Sequence, residues 1–166
     1  LVDIDNDGDL DIFIGQDDGY PYDGNILFYE NDAGFSGRSA LPAGLEEFAL
    51  TFTGLSYVSP TFSDFDSDGD LDLFVGTSGG TVRYFENRDD TDGTIGNNPN
   101  FAEIIGSQNP LDGVDVGTLA TLTFVDFDGD GDHDIAIGNG YTSEPPNYFE
   151  NTGSGFIERT GLNNPF

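Results

Sequence analysis

The sequence predicts an all-β protein made of three blade-like repeats, each of four short antiparallel strands. Three observations lead there. A thirteen-residue string returns three times, as DIDNDGDLDIFIG from Asp3, DFDSDGDLDLFVG from Asp64 and DFDGDGDHDIAIG from Asp126, at spacings of 61 and 62 residues. Apolar runs such as LDIFIG and TVRYFEN are short, rich in Ile, Val, Phe and Tyr, and bounded by Gly, Asn, Asp and Pro, which is a strand signature. A second set of similar segments follows each string at a regular distance, so the repeat is longer than the string itself.

Taken in order, each repeat divides in the same way. A first strand enters the acidic string, over Thr61 to Asp64 and Leu122 to Asp126. The string itself is a loop, and the second strand leaves it to end at Gly15, Gly76 or Gly138. The third strand carries LFYEN (Leu27 to Asn31), RYFEN (Arg83 to Asn87) or NYFEN (Asn147 to Asn151). The fourth opens at Phe101 and Phe156, inside NFAEIIGSQNPL and GFIERTGLNNPF; in the first repeat either Phe35 or Phe48, in EFALTFTG, could open it. Counted from loop to loop, the repeats are 1–63 (loop 3–11), 64–125 (loop 64–72) and an incomplete 126–166 (loop 126–134). Radially repeated four-stranded sheets are propeller blades, and three blades fall short of the four to eight that close a ring. The expectation is therefore a partial or open propeller, either a segment of a longer array or a subunit that completes its sheet edges with neighbours.

Within each loop, acidic residues fall at ligand spacing. Positions 1 (Asp3, Asp64, Asp126), 3 (Asp5, Asp66, Asp128), 5 (Asp7, Asp68, Asp130) and 9 (Asp11, Asp72, Asp134) offer carboxylates, and position 7 (Asp9, Asp70, Asp132) a backbone carbonyl. Position 6 is Gly8, Gly69 or Gly131, where a tight turn needs a positive φ. Hard oxygen donors in this number suit calcium better than magnesium, which takes fewer protein ligands in a stricter octahedron. The loops are not EF-hands, because position 12, which would need a bidentate glutamate, holds Ile14, Val75 or Ile137. About three calcium ions, one per loop, are expected.

The acidic loop, the apolar strand after it, the closing glycine and the aromatic strand ending in Glu-Asn together resemble the VCBS and FG-GAP-like repeats, related to the propeller blades of integrin α-subunits. The resemblance covers essentially the whole chain. It implies a β-propeller blade with calcium held between its first two strands, in secreted or cell-surface proteins used for adhesion, binding or scaffolding.

Charge points the same way. The chain has 32 acidic residues against four arginines and no lysine, a formal charge of −28. Fifteen of those acids lie in the three loops; three divalent ions, six positive charges, would leave −22. Such a surface disfavours nucleic acid and anionic membranes, and no run is long and apolar enough for a membrane span. Without cysteine there is no disulfide or thiolate site, and weak modular calcium sites fill outside the cell, where dissociation constants of roughly 10⁻⁴–10⁻³ M suffice.

The expected function is a non-enzymatic, calcium-binding, extracellular structural or adhesion repeat, or a unit of an extracellular filament or array, with self-association or neighbouring repeats as partners. His133 could be read as a general base, but it fills the non-ligand eighth position held elsewhere by Leu10 and Leu71. Glu30, Glu86 and Glu150 recur with the architecture and are read as part of it. Tyr20, Tyr22 and Tyr141 could form a platform for carbohydrate or a neighbouring subunit, and Asp89, Asp90 and Asp92 could hold a further cation. The alternatives are a calcium-dependent polysaccharide-active enzyme, since some polysaccharide lyases look similar, and a receptor-like ligand-binding propeller.

Overall fold

The computed structural model describes residues 1–4, 8, 10–17, 24–29, 49–52, 55–88, 101–141 and 143–166. Eleven strands and two short 3-10 turns are present among them, with no α-helix. They form three antiparallel sheets, all simple meanders. The first sheet is β1 (Ile12–Asp17), β2 (Gly24–Tyr29) and β3 (Ala49–Phe52). The second is β4 (Ser59–Ser63), β5 (Asp72–Gly76), β6 (Val82–Asn87) and β7 (Phe101–Ile104). The third is β8 (Thr121–Val125), β9 (Asp134–Gly138), β10 (Asn147–Asn151) and β11 (Phe156–Arg159). This is the expected all-β arrangement of propeller-type blades, left open rather than closed into a ring. Of the two candidate fourth strands in the first repeat, EFALTFTG supplies one, as β3.

Register repeats with the sequence. Ser63 pairs with Asp72 and Val125 with Asp134, and an isolated bridge joins Val2 to Asp11 at the same place in the first sheet. Each acidic loop thus closes the hairpin between the first two strands of a blade. The sheets are offset by one strand from repeats counted loop to loop, because β4 and β8 precede their loops yet pair with the strands that follow them.

The middle sheet explains why its loop opens into an unbroken apolar run. Every residue of β5 is buried, since both faces of this sheet are covered. Leu73, Val75 and Phe85 face the first sheet, clustering with Ile26 there and with Val58 from the segment leading into β4. Phe74 and Tyr84 face the third, against Leu122, Ile135, Ile137 and Phe149. Each such side chain contributes roughly 1.5–3 kcal/mol by leaving water.

Aromatic rings join the layers. Phe13 packs on Phe62 at 4.5 Å, Phe74 on Phe124 at 4.9 Å, and Phe65 stacks on Phe156 at 5.7 Å. Backbone bonds also cross between the second and third sheets, from Leu119 N to Ser78 O (3.1 Å) and from Ala120 N to Thr77 O (3.0 Å). So close an approach needs a missing side chain. A Cβ on Gly76 would lie 2.1 Å from Ala120 O, and one on Gly15 only 1.8 Å from Val58 O.

Candidate metal centre

The acidic loops fold by using their own carboxylates as turn caps. In the third loop, Asp126 accepts from Gly129 N (2.7 Å) and Gly131 N (3.2 Å), Asp128 from Asp130 N (3.1 Å), and Asp130 from Asp132 N (2.9 Å). The second loop repeats the last two bonds, Asp66 accepting from Asp68 N and Asp68 from Asp70 N. In the first, Asp3 accepts from Gly8 N at 3.1 Å. These short-range bonds suit Asp to tight turns. Position 6 has positive φ in all three loops, at 95°, 101° and 98°. Position 4 does as well, at Ser67 (63°) and Gly129 (81°). Sequence reasoning missed that second left-handed position; its signal was the small or turn-forming residue found there, Asn6, Ser67 or Gly129.

Two left-handed residues in one loop curl positions 1, 3 and 5 toward a common point. Asp64, Asp66 and Asp68 each present a carboxylate oxygen within 4.8 Å of the others, and Asp126, Asp128 and Asp130 do the same. At an effective dielectric near 20, unit charges that far apart repel by roughly 3 kcal/mol. The geometry fits a hard cation: calcium–oxygen distances of about 2.4 Å place opposite ligands roughly 4.8 Å apart. In the first loop, Asp3 Oδ1 is buried with no hydrogen-bond partner among the described residues, an acceptor that a cation would satisfy. Asp5, Asp7 and Asp9 lie outside the described residues.

The carboxyl groups register this crowding. Burial, followed by the charge of Asp68, pushes Asp66 up from the ordinary carboxylate value. At Asp128 the hydrogen bond from Asp130 N is the largest single effect and pulls downward, but desolvation and the charges of Asp130, Asp134 and Glu150 together outweigh it.

Position 9 is placed differently. Asp11, Asp72 and Asp134 are almost wholly buried beneath their loops, at 1%, 1% and 0% exposure. Asp134 Oδ2 accepts from Phe127 N (3.0 Å) and the Tyr148 hydroxyl (2.7 Å), while Oδ1 accepts from Asn151 N (2.8 Å). Asp72 accepts from Tyr84 (3.0 Å) and Asn87 N (2.8 Å), and Asp11 from Ile4 N (3.0 Å). This residue ties the loop to the end of the third strand. At Asp72 burial pushes the carboxyl up to about 6 against the opposing hydrogen bonds from Asn87 and Tyr84. The position 7 residues Asp70 and Asp132 stand outside both carboxylate trios.

Other sequence candidates divide. Glu150 forms a bidentate pair with Arg159 (2.8 and 2.5 Å), which holds the glutamate below its usual range, and Glu86 bonds Arg88 at 3.0 Å. His133 is exposed and lines a cleft between the second and third loops with Asp64 and Asp132. Tyr141 is 80% exposed. Glu30, Tyr20, Tyr22, Asp89, Asp90 and Asp92 lie outside the described residues.

Comparison with known families agrees with this geometry. The FG-GAP-like repeat matches residues 3–75 and again 64–137, and the FG-GAP repeat matches 119–157. No curated protein and no solved structure matches the chain. Each of the first two matches starts on the opening aspartate of one loop and runs into the strand beyond the next. With all three loops, the whole second sheet and all but the last two residues of the third inside these matches, the chain belongs to the FG-GAP-like repeat family.

Proposed function

We propose that this chain is a calcium-stabilised, non-enzymatic repeat module of an extracellular protein, working as a scaffold, an adhesion module or a unit of a filament or array. The observation that carries the reading is the pair of aspartate trios, 64/66/68 and 126/128/130, repeated at one place in successive blades. The buried acceptor Asp3 Oδ1 extends it to the first loop. Bound calcium would neutralise the carboxylates and cross-link the turn between the first two strands of each blade. Asp3, Asp64 and Asp126, with the residues two and four further on, would hold it.

The non-enzymatic part rests on how the acidic groups are used. Glu86 and Glu150 are committed to arginines, and Asp72 and Asp134 to backbone amides and tyrosine hydroxyls. An extracellular setting follows from the weak affinity expected of exposed, modular carboxylate sites. Among the described residues no helix is long and apolar enough to cross a membrane.

Titration calorimetry with calcium, alongside thermal melting, tests the reading. The expected result is about three ions bound per chain and a melting temperature that drops in excess chelator. A transition indifferent to chelator would overturn it.

A further inference from the structure

The second and third blades differ at one charged position. On the middle sheet Arg83 and Glu103, diagonal neighbours on β6 and β7, form a bidentate pair, Nε to Oε1 at 2.7 Å and Nη2 to Oε2 at 2.6 Å. The guanidinium also lies over the Phe85 ring, 5.2 Å from its centre. On the third sheet the same two places are held by Asn147 on β10 and Glu158 on β11. Asn147 Nδ2 donates to Glu158 Oε1 at 2.9 Å. An amide thus stands where the preceding blade has a guanidinium; it is shorter, carries no charge and bonds one carboxylate oxygen instead of two.

A cleft of about 390 Å³ opens at this place, with Asn147 and Glu158 in its wall. Along their strands these residues alternate with Tyr148 and Ile157, so they share the face of Phe149 and Phe156, which packs on the middle sheet. Asp115 and Val116, from the segment joining the second blade to the third, complete the wall. The cleft therefore lies between neighbouring blades and not on the outer face of a sheet.

Its charge is unbalanced. Asp115, Glu144 and Glu158 line it, and Arg159, which lines it too, is committed to Glu150 through two nitrogens. The other described arginines, Arg83 and Arg88, pair with Glu103 and Glu86. Among the described residues these three acids do not converge within 4.8 Å as the loop trios do, so they make no metal cluster. Carboxylates spread around a cleft with Pro145, Pro146 and Val116 in its wall suit an extended organic cation.

We propose that this cleft receives an arginine side chain of a partner protein, which pairs with Glu158 as Arg83 pairs with Glu103 one blade earlier. The chain contains its own precedent for the chemistry: a planar guanidinium matched to a carboxylate at the same register, where a lysine would act only as a point charge. One solvent-exposed ion pair is weak. A free small cation is therefore poorly held, and the arginine has to arrive on a larger surface, its methylenes lying along the prolines and Val116. The net charge of −28 draws a basic partner in. This site is separate from the acidic loops and stands whether or not they hold calcium.

Chemical-shift titration of the labelled chain in physiological salt tests it, with N-acetylarginine amide, its citrulline and lysine counterparts, and an alanine pentapeptide carrying arginine at its centre. The expected result is saturable shifts at Asn147 and Glu158 with the arginine amide, none with citrulline, weaker ones with lysine, and tighter binding of the pentapeptide. Asn147→Arg builds the pair into the chain, and Glu158→Gln removes the acceptor charge. Asn147 is half-buried and Glu158 exposed, so both variants keep the wild-type circular dichroism, and both lose the shifts. Glu103→Gln, one blade away, keeps them. The proposal fails if the shifts survive either third-blade variant, if citrulline reproduces them or lysine equals them, if the pentapeptide binds no tighter than the amide, or if nothing responds at all. Calcium binding without a response to arginine sinks this inference alone, and the converse sinks only the calcium reading.

Discussion

The Tyr148 hydroxyl donates to Asp134 Oδ2 at 2.7 Å, and Tyr84 makes the same bond to Asp72 at 3.0 Å, so two successive blades lock loop to sheet with one buried pair. Burial, and after it proximity to the carboxylate, holds both tyrosines protonated, well above the usual phenol range. Removing the hydroxyl takes one donor from a buried carboxylate while leaving the ring in place. Tyr148→Phe is expected to cost about 1–3 kcal/mol in urea unfolding. The first blade carries Phe28 at this position, so Phe28→Ala reports only packing there.

The exposed and buried aspartates of one loop have separable roles. Asp126 belongs to the carboxylate trio, whereas Asp134 accepts three protein hydrogen bonds from its buried position. Asp126→Asn keeps an acceptor for the turn and is expected to weaken calcium binding at one site with little change in chelator-treated stability. Asp134→Ala leaves the Tyr148 hydroxyl and two amides without their acceptor. It is expected to cost on the order of 3 kcal/mol even in chelator. Calorimetry and unfolding on the two variants separate the effects.

How far the sequence announced this arrangement depends on the range of each interaction. The trios were legible because positions 1, 3 and 5 lie within one turn, where spacing nearly determines geometry. The order of strands around each loop was legible too, with one entering over Thr61 to Asp64 or Leu122 to Asp126 and one leaving, but the pairing of Ser63 with Asp72 and of Val125 with Asp134 was not stated by the sequence. The structural use of Asp134 was not, because its partners Tyr148 and Asn151 arrive from another strand, and no local rule pairs them. A tyrosine in YFEN recurring with the ninth-position aspartate was the available hint. The fourth strand of the first repeat stayed ambiguous between Phe35, which lies outside the described residues, and Phe48, since the first repeat lacks the length match that sets Phe101 and Phe156, and pairing with β2 is what marks Ala49–Phe52 as a strand.

Stability should change with pH in opposite senses with and without calcium. In the metal-free protein, burial raises Asp72 to about 6 from an ordinary value of 3.8. Between those values the folded chain binds the proton more tightly than the unfolded one, so stability falls as pH rises through that window and then levels off. Calcium needs ionised carboxylates, so its contribution grows over the same range. Melting curves across this window, with calcium and with chelator, should therefore diverge as pH rises. Parallel curves would argue against carboxylate ligation.

Backbone strain gives a sharper test of the packing between sheets. Tyr57 (φ 52°) and Leu119 (φ 49°) occupy the same register, in the segments leading into β4 and β8, and both are left-handed without being glycine. That conformation costs roughly 1–2 kcal/mol for a residue with a Cβ, so something must hold it. At Leu119 the cause is visible: its amide bonds Ser78 O, and its side chain lies against Gly140, where an added Cβ would meet Leu119 Cδ1 at 2.5 Å. Tyr57 is 61% exposed, so its ring contributes less to holding the turn. Tyr57→Gly removes the strain and adds unfolded-chain entropy worth about 0.5–1 kcal/mol; the balance should raise stability by up to about 1 kcal/mol. Leu119→Gly gives up packing as well and should come out neutral or destabilising. If both variants shifted the unfolding midpoint equally, side-chain contact would play no part in fixing this turn.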